Sequence, residues 1–129
     1  MGFFKLWRFR KMRNKRLITV VITARPSYSR VKTVLKSINE NDKLKLNLVV
    51  TGSALLKKYG STVSYIEDDG FIVNEKIHVV TEEESKGSMS RTTGLLIMEL
   101  SNLFSKIKPD AVITIADRFE TIATSIAAS

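Results

Sequence analysis

A chain of 129 residues, 43% hydrophobic and 26% charged, is long enough for one domain with a real core. It has no cysteine, which excludes a disulfide scaffold, a thiolate zinc site and a thiol nucleophile and suits a reducing cytoplasm; a single histidine, His78, excludes a His-rich metal centre. The formal charge of +8 belongs to one end: residues 1–16 carry seven Lys or Arg and no acid, whereas the rest carries 14 basic against 13 acidic residues, so a nucleic-acid partner is not expected.

Residues 1–15, "MGFFKLWRFRKMRNK", mix Phe3, Phe4, Leu6, Trp7 and Phe9 with cations. No apolar run is long enough for a secretory signal or a membrane span, and Leu6 stands where an N-myristoylation motif wants Ser or Thr. This basic leader reads as a flexible extension of a domain that occupies residues 16–129. The other reading is membrane-surface contact, with the aromatic and cationic side chains resting on anionic lipid.

"RLITVVIT" (Arg16–Thr23) is a β-branched run of the kind buried on both faces in the middle of a parallel sheet. Val31, Val34, Leu35 and Ile38 recur at helical spacing and predict a helix over about residues 28–40. A second strand follows at Leu44–Gly52, then two short helices at Ala54–Gly60 and Ser61–Gly70, the latter capped by Ser61 or Thr62. Phe71–Val80 holds a strand or two extended pieces, and Thr81–Ser88 reads as a polar loop. Glu82, Glu83 and Glu84 in that loop are read as solvated, because three adjacent carboxylates cannot all face one ion; no metal site is expected. From Ser88 to Lys108 a long helix shows Leu96, Leu100, Leu103, Phe104 and Ile107 as its apolar stripe, and Pro109 stops it. "AVITIA" (Ala111–Ala116) is a further buried strand, and Asp117–Ser129 opens a last helix. The alternation predicts an α/β fold, an open parallel sheet with helices on both faces and ligands held beyond the carboxyl ends of the strands.

Two strand-to-helix turns carry the chemistry, and both open on that edge. In Thr23–Arg30, a helix start attracts anions, Arg25 and Arg30 reinforce it, and Ser27, Tyr28 and Ser29 offer hydroxyls to phosphate oxygens. Equally, Ser27 or Ser29 simply caps the helix and both arginines are solvated. The turn has neither a GxGxxG nor a GK[ST] pattern. In "ADRFE" (Ala116–Glu120), Asp117 either caps the next helix or faces the crevice beside Arg118 as a proton-transfer group, and Glu120 is placed to complete a cap.

Together, "RPSYS" (Arg25–Ser29) and "KPDAVITIADRFE" (Lys108–Glu120) resemble the turns of the hydrolysing UDP-N-acetylglucosamine 2-epimerase family, in particular the branch that makes sialic- and legionaminic-acid-type precursors. "VVTGSALLKKYGSTVSYIEDDGF" is similar to that family's second strand and following helices, so the resemblance covers residues 16–129. Ala116 stands where much of the family has Gly, and "ITARPS" replaces the commoner "GTRAD"; both departures point to a sub-branch, and the resemblance leaves UDP-N-acetylglucosamine and a di-N-acetylated analogue as the alternative substrates.

The resemblance implies two Rossmann-like domains facing across a cleft, as in the glycosyltransferase-B architecture, with this chain as the N-terminal half. It implies elimination of UDP from a UDP-N-acetylhexosamine through a glycal-like intermediate, and addition of water to give the free 2-epimeric sugar. Asp117 would be the catalytic carboxylate, and Arg25, Ser29 and Arg118 would hold the UDP diphosphate. No cofactor is implied; the partners would be the UDP-sugar and, in the full-length enzyme, a second copy of the chain. The second domain would supply further groups, so the 129 residues alone are expected to give no turnover and weak UDP binding. The alternatives are a non-catalytic α/β module that binds a phospho-ligand or a partner, and a glycosyltransferase-B domain.

Overall fold

A computed structural model describes residues 14–57, 61–79, 86–116 and 118–129. The expectations for most of the leader, for the glycine closing residues 54–60, for most of the polar loop with its three glutamates, and for Asp117 lie outside the described residues.

Four strands form one parallel sheet: β1 (Arg16–Ile22), β2 (Leu44–Thr51), β3 (Glu75–Ile77) and β4 (Ala111–Thr114), in the order β3-β2-β1-β4. β1 is central, with Val21 paired to Val49 of β2 on one side and to Thr114 of β4 on the other. Alternation along β1 splits its side chains between two cores. Val20 and Ile22 join Leu48 and Val50 beneath α1 (Arg25–Glu40) and α2 (Thr62–Asp68). Val21 and Val49 face the other way, onto α3 (Lys86–Ile107) and α4 (Glu120–Ala128). Helices cover both faces, as the periodicity predicts.

The boundaries differ in instructive ways. α1 begins at Arg25, three residues earlier than its apolar spacing suggests, because Tyr28 opens the buried stripe that Val31, Leu35 and Ile38 continue; Val34 lies off it and is exposed. Among the described residues after β2, Gly52–Leu55 form a 3-10 turn where the sequence predicts the start of an α-helix. α2 starts where expected, with Ser61 Oγ accepting from the Ser64 amide at 3.4 Å. α3 starts at Lys86 and ends before Pro109 with Lys108 in the left-handed region, φ 49°. The two outer strands are docked by polar side chains at their entrances. Asn74 Oδ1 accepts from the Leu48 amide at 2.8 Å, and Asp110 Oδ2 accepts from the Leu17 amide at 2.7 Å.

Candidate functional site

β1 and β4 are parallel neighbours, so the segments that follow them, from residues 23–24 and 115–116 onward, leave the sheet side by side on its carboxyl edge. The 3-10 turn after β2 flanks them: the Ala54 amide and the Ser53 hydroxyl donate to the Thr23 carbonyl at 3.1 and 3.2 Å. The two corners singled out in the sequence therefore share one rim, although Asp117 itself lies outside the described residues.

At the first corner, Arg25 is the first residue of α1 and Pro26 the second; the N-cap is Ala24, and no side chain caps the helix. The capping roles open to Ser27 and Ser29 are thus unused. Arg25 and Ser29 stand four residues apart on one exposed face of α1, with Ser29 Oγ donating to the Arg25 carbonyl at 3.4 Å. The Arg25 guanidinium carbon lies 4.3 Å from the centroid of the half-exposed Tyr65 ring on α2. The other two hydroxyls do not face the rim's solvent. Ser27 is fully buried, and Tyr28 turns inward and donates a short hydrogen bond to Asp69, which also pairs with Lys32 at 2.8 Å. Burial first, and then the hydrogen bond and negative charge of Asp69, push the Tyr28 phenol's ionisation upward; Lys32 and Tyr28 hold the Asp69 carboxyl below its ordinary range. These two residues lock α2 onto α1 and are unavailable to a ligand.

At the second corner, Arg118 is part-exposed and donates from Nε to Glu120 Oε2 at 3.2 Å, with its guanidinium carbon 5.4 Å from the centroid of Phe119. Glu120 does not cap α4, whose N-cap is Phe119 with no side-chain acceptor. It is instead completely buried, and its Oε1 reaches the end of β2: a Cβ placed on Gly52 would stand 2.9 Å from that oxygen and 2.9 Å from the Thr23 carbonyl. Glu120 Oε1, Thr23 Oγ1 and Thr114 Oγ1 are buried with no hydrogen-bond partner among the described residues. Buried orphan polar atoms are uncommon, and three of them sit at one edge of one sheet. Glu120 and Gly52 escaped the sequence reading as site residues. The available signal was the helical phase, since Glu120 shares its face with the buried Ala123 and Thr124. No cluster of His, Asp and Glu able to hold a metal ion occurs among the described residues.

An open parallel sheet with helices on both faces and its charged turns gathered on one carboxyl edge is the Rossmann-like class, the kind of domain from which each half of a glycosyltransferase-B architecture is built. Within that class, the chain belongs to the UDP-N-acetylglucosamine 2-epimerase family, which residues 36–129 match. It is 32% identical over 113 residues to a UDP-N,N'-diacetylbacillosamine 2-epimerase (hydrolyzing) of Legionella pneumophila, with 88% of this chain and 30% of that protein aligned. It is 27% identical over 112 residues to a GDP/UDP-N,N'-diacetylbacillosamine 2-epimerase (hydrolyzing) of Campylobacter jejuni, covering 87% of this chain and 29% of that one. Among solved structures, UDP-GlcNAc 2-epimerase from Neisseria meningitidis bound to UDP-GlcNAc superposes with a TM-score of 0.72 at 17% identity, covering 87% of this chain and 29% of that one. The chain therefore spans about 30% of the length of the curated relatives it matches.

Proposed function

We propose that this chain is the N-terminal, diphosphate-gripping domain of a hydrolysing UDP-N-acetylhexosamine 2-epimerase, with a di-N-acetylated UDP-sugar as the substrate class. The observation that carries this reading is the adjacency of β1 and β4, which brings the uncapped start of α1 with Arg25 beside the Arg118 corner. The names of the two curated relatives above support the choice of sugar. In this reading the start of α1, Arg25, Ser29 and Arg118 hold the diphosphate. Negative charge grows on the departing UDP as the bond from the sugar C1 to oxygen breaks, so these cations favour the transition state over the bound substrate. Asp117 is the carboxylate that serves proton transfer as the C2 proton leaves; water then adds its hydroxyl at C1 and a proton at C2. The stacking of Arg25 on Tyr65 is worth only about 0.5–1 kcal/mol at an exposed site, a weak tether that a phosphate displaces.

The chain alone holds one wall of such a cleft. It is expected to bind UDP with a Kd on the order of 1 mM, a free energy of about −4 kcal/mol, and to release no free sugar from a UDP-N-acetylhexosamine. Titration with UDP followed by amide NMR checks this. Arg25→Ala and Arg118→Ala should each weaken binding roughly tenfold, in line with the loss of a charge-assisted contact, whereas Asp117→Asn should leave it unchanged. Unaltered affinity in both arginine variants would remove the diphosphate from this rim, and transfer of sugar to an acceptor in place of free sugar would make the parent enzyme a glycosyltransferase.

A further inference from the structure

A buried carboxylate is costly unless it is paired and fully hydrogen-bonded. Glu120 is completely buried, yet it has one cationic partner and one oxygen with no partner among the described residues. Capping does not account for it, because the carboxylate leaves the helix start and lies against Gly52 at the end of β2. Room is made for it there: Gly52 has φ +63°, and any Cβ would press on Glu120 Oε1. An apolar side chain would fill the same space at lower cost. What the carboxylate adds is a directed contact, its Oε2 accepting a hydrogen bond from Arg118 Nε at 3.2 Å while the Phe119 ring flanks the guanidinium. Of the five guanidinium protons, this contact uses the one on Nε. The two Nη groups are the fork that grips phosphate at two points.

We propose that Glu120 is a positioning residue that holds Arg118 by Nε, so that the Nη fork faces the rim between β1 and β4 and meets the ligand's diphosphate. The inference rests on the nucleotide-sugar reading above. It assigns the second oxygen and the Gly52 gap to the same device: the carboxylate is wedged between α4 and the end of β2, so the arginine is anchored to the sheet and not merely to its own turn. An arginine held in this way has less freedom to lose when a phosphate arrives.

The test has a ligand-free arm and a binding arm. In the unliganded wild-type chain, the Arg118 Nε–H should give a protected, slowly exchanging NMR signal; solvent-fast exchange would overturn the proposal whether or not nucleotide binds. In the binding arm, Glu120→Gln should weaken UDP about tenfold while leaving uridine, which has no phosphate, unaffected. In an Arg118→Ala background the same substitution should change UDP affinity by less than about twofold, since coupled residues are not additive. Equal losses for UDP and uridine, or additive losses in the double variant, would make Glu120 a packing residue and overturn the proposal. A wild-type chain whose Nε–H is protected but which binds no UDP overturns the nucleotide-sugar reading and the ligand assigned here. Should Glu120→Gln fail to fold, the wild-type exchange measurement still decides.

Discussion

Tyr28 carries one of the three hydroxyls that the sequence offers to a phosphate, and the structure commits it elsewhere. Its phenol is pushed up by burial and by Asp69, so the folded state favours the protonated form: that stabilisation is present below pH 10 and is lost as pH rises further. Asp69 is held down by Lys32 and Tyr28, so its contribution is present above pH 3.8 and is lost as pH falls through its lowered value. Tyr28→Phe should therefore lower the urea midpoint of unfolding by a constant amount between about pH 5 and 9, and the gap from wild type should narrow at both extremes. A gap that does not change with pH would mean that the phenol's partner is not the ionised Asp69. Ser27, Tyr28 and Ser29 were indistinguishable in the sequence because their fates depend on the helix phase. A start at Arg25 turns Ser27 and Tyr28 inward and leaves Ser29 outside. Glu120 was hidden for the same reason: a charged residue in first-turn position reads as a cap, and only its phase with Ala123 and Thr124 reveals that it is buried.

Among the elements, the strands β1, β2 and β4 were legible because β-branched runs bounded by polar turns have few other uses, and α3 because 22 residues allow a periodic stripe to be seen. β3 was legible only as an extended piece somewhere in residues 71–80, and the 3-10 turn was not legible at all, since neither is long enough to show a period. The 3-10 turn matters more than its length suggests. It sends Gly52 through the left-handed region at a point where the Thr23 backbone and the Glu120 carboxylate close in. Gly52→Ala should destabilise the fold by roughly 1–3 kcal/mol, combining backbone strain with a contact to a carbonyl that cannot retreat. Gly70, also at positive φ but with open space around it, provides the control: Gly70→Ala carries the strain without the clash and should cost less. Thermal unfolding of both variants checks this order, and equal losses would show that the Glu120 wedge is not tight.

At the scale of the whole molecule, charge and fold are separable. Residues 1–15 hold six of the 21 basic side chains, so their deletion leaves a body that carries +2. That body includes every described element from β1 onward. The deletion should leave UDP affinity unchanged while reducing retention on anionic vesicles at low salt; a loss of UDP binding would place the leader in the site.

The central position of β1 has a further consequence, for biosynthesis. As the polypeptide leaves the ribosome, β1 and β2 can pair early and receive α1 on one face, but the flank of β1 that belongs to β4 stays open until residue 114 has been made. Over the same interval Val21 and Val49 await the helix bearing Leu96, Leu100 and Phe104. A nascent chain of this design presents an unpaired ribbon edge and a bare aliphatic floor side by side from the end of β2 at Thr51 until β4 is complete at Thr114, roughly half of the length of the chain. This is the kind of surface that cotranslational chaperones engage and that aggregation exploits.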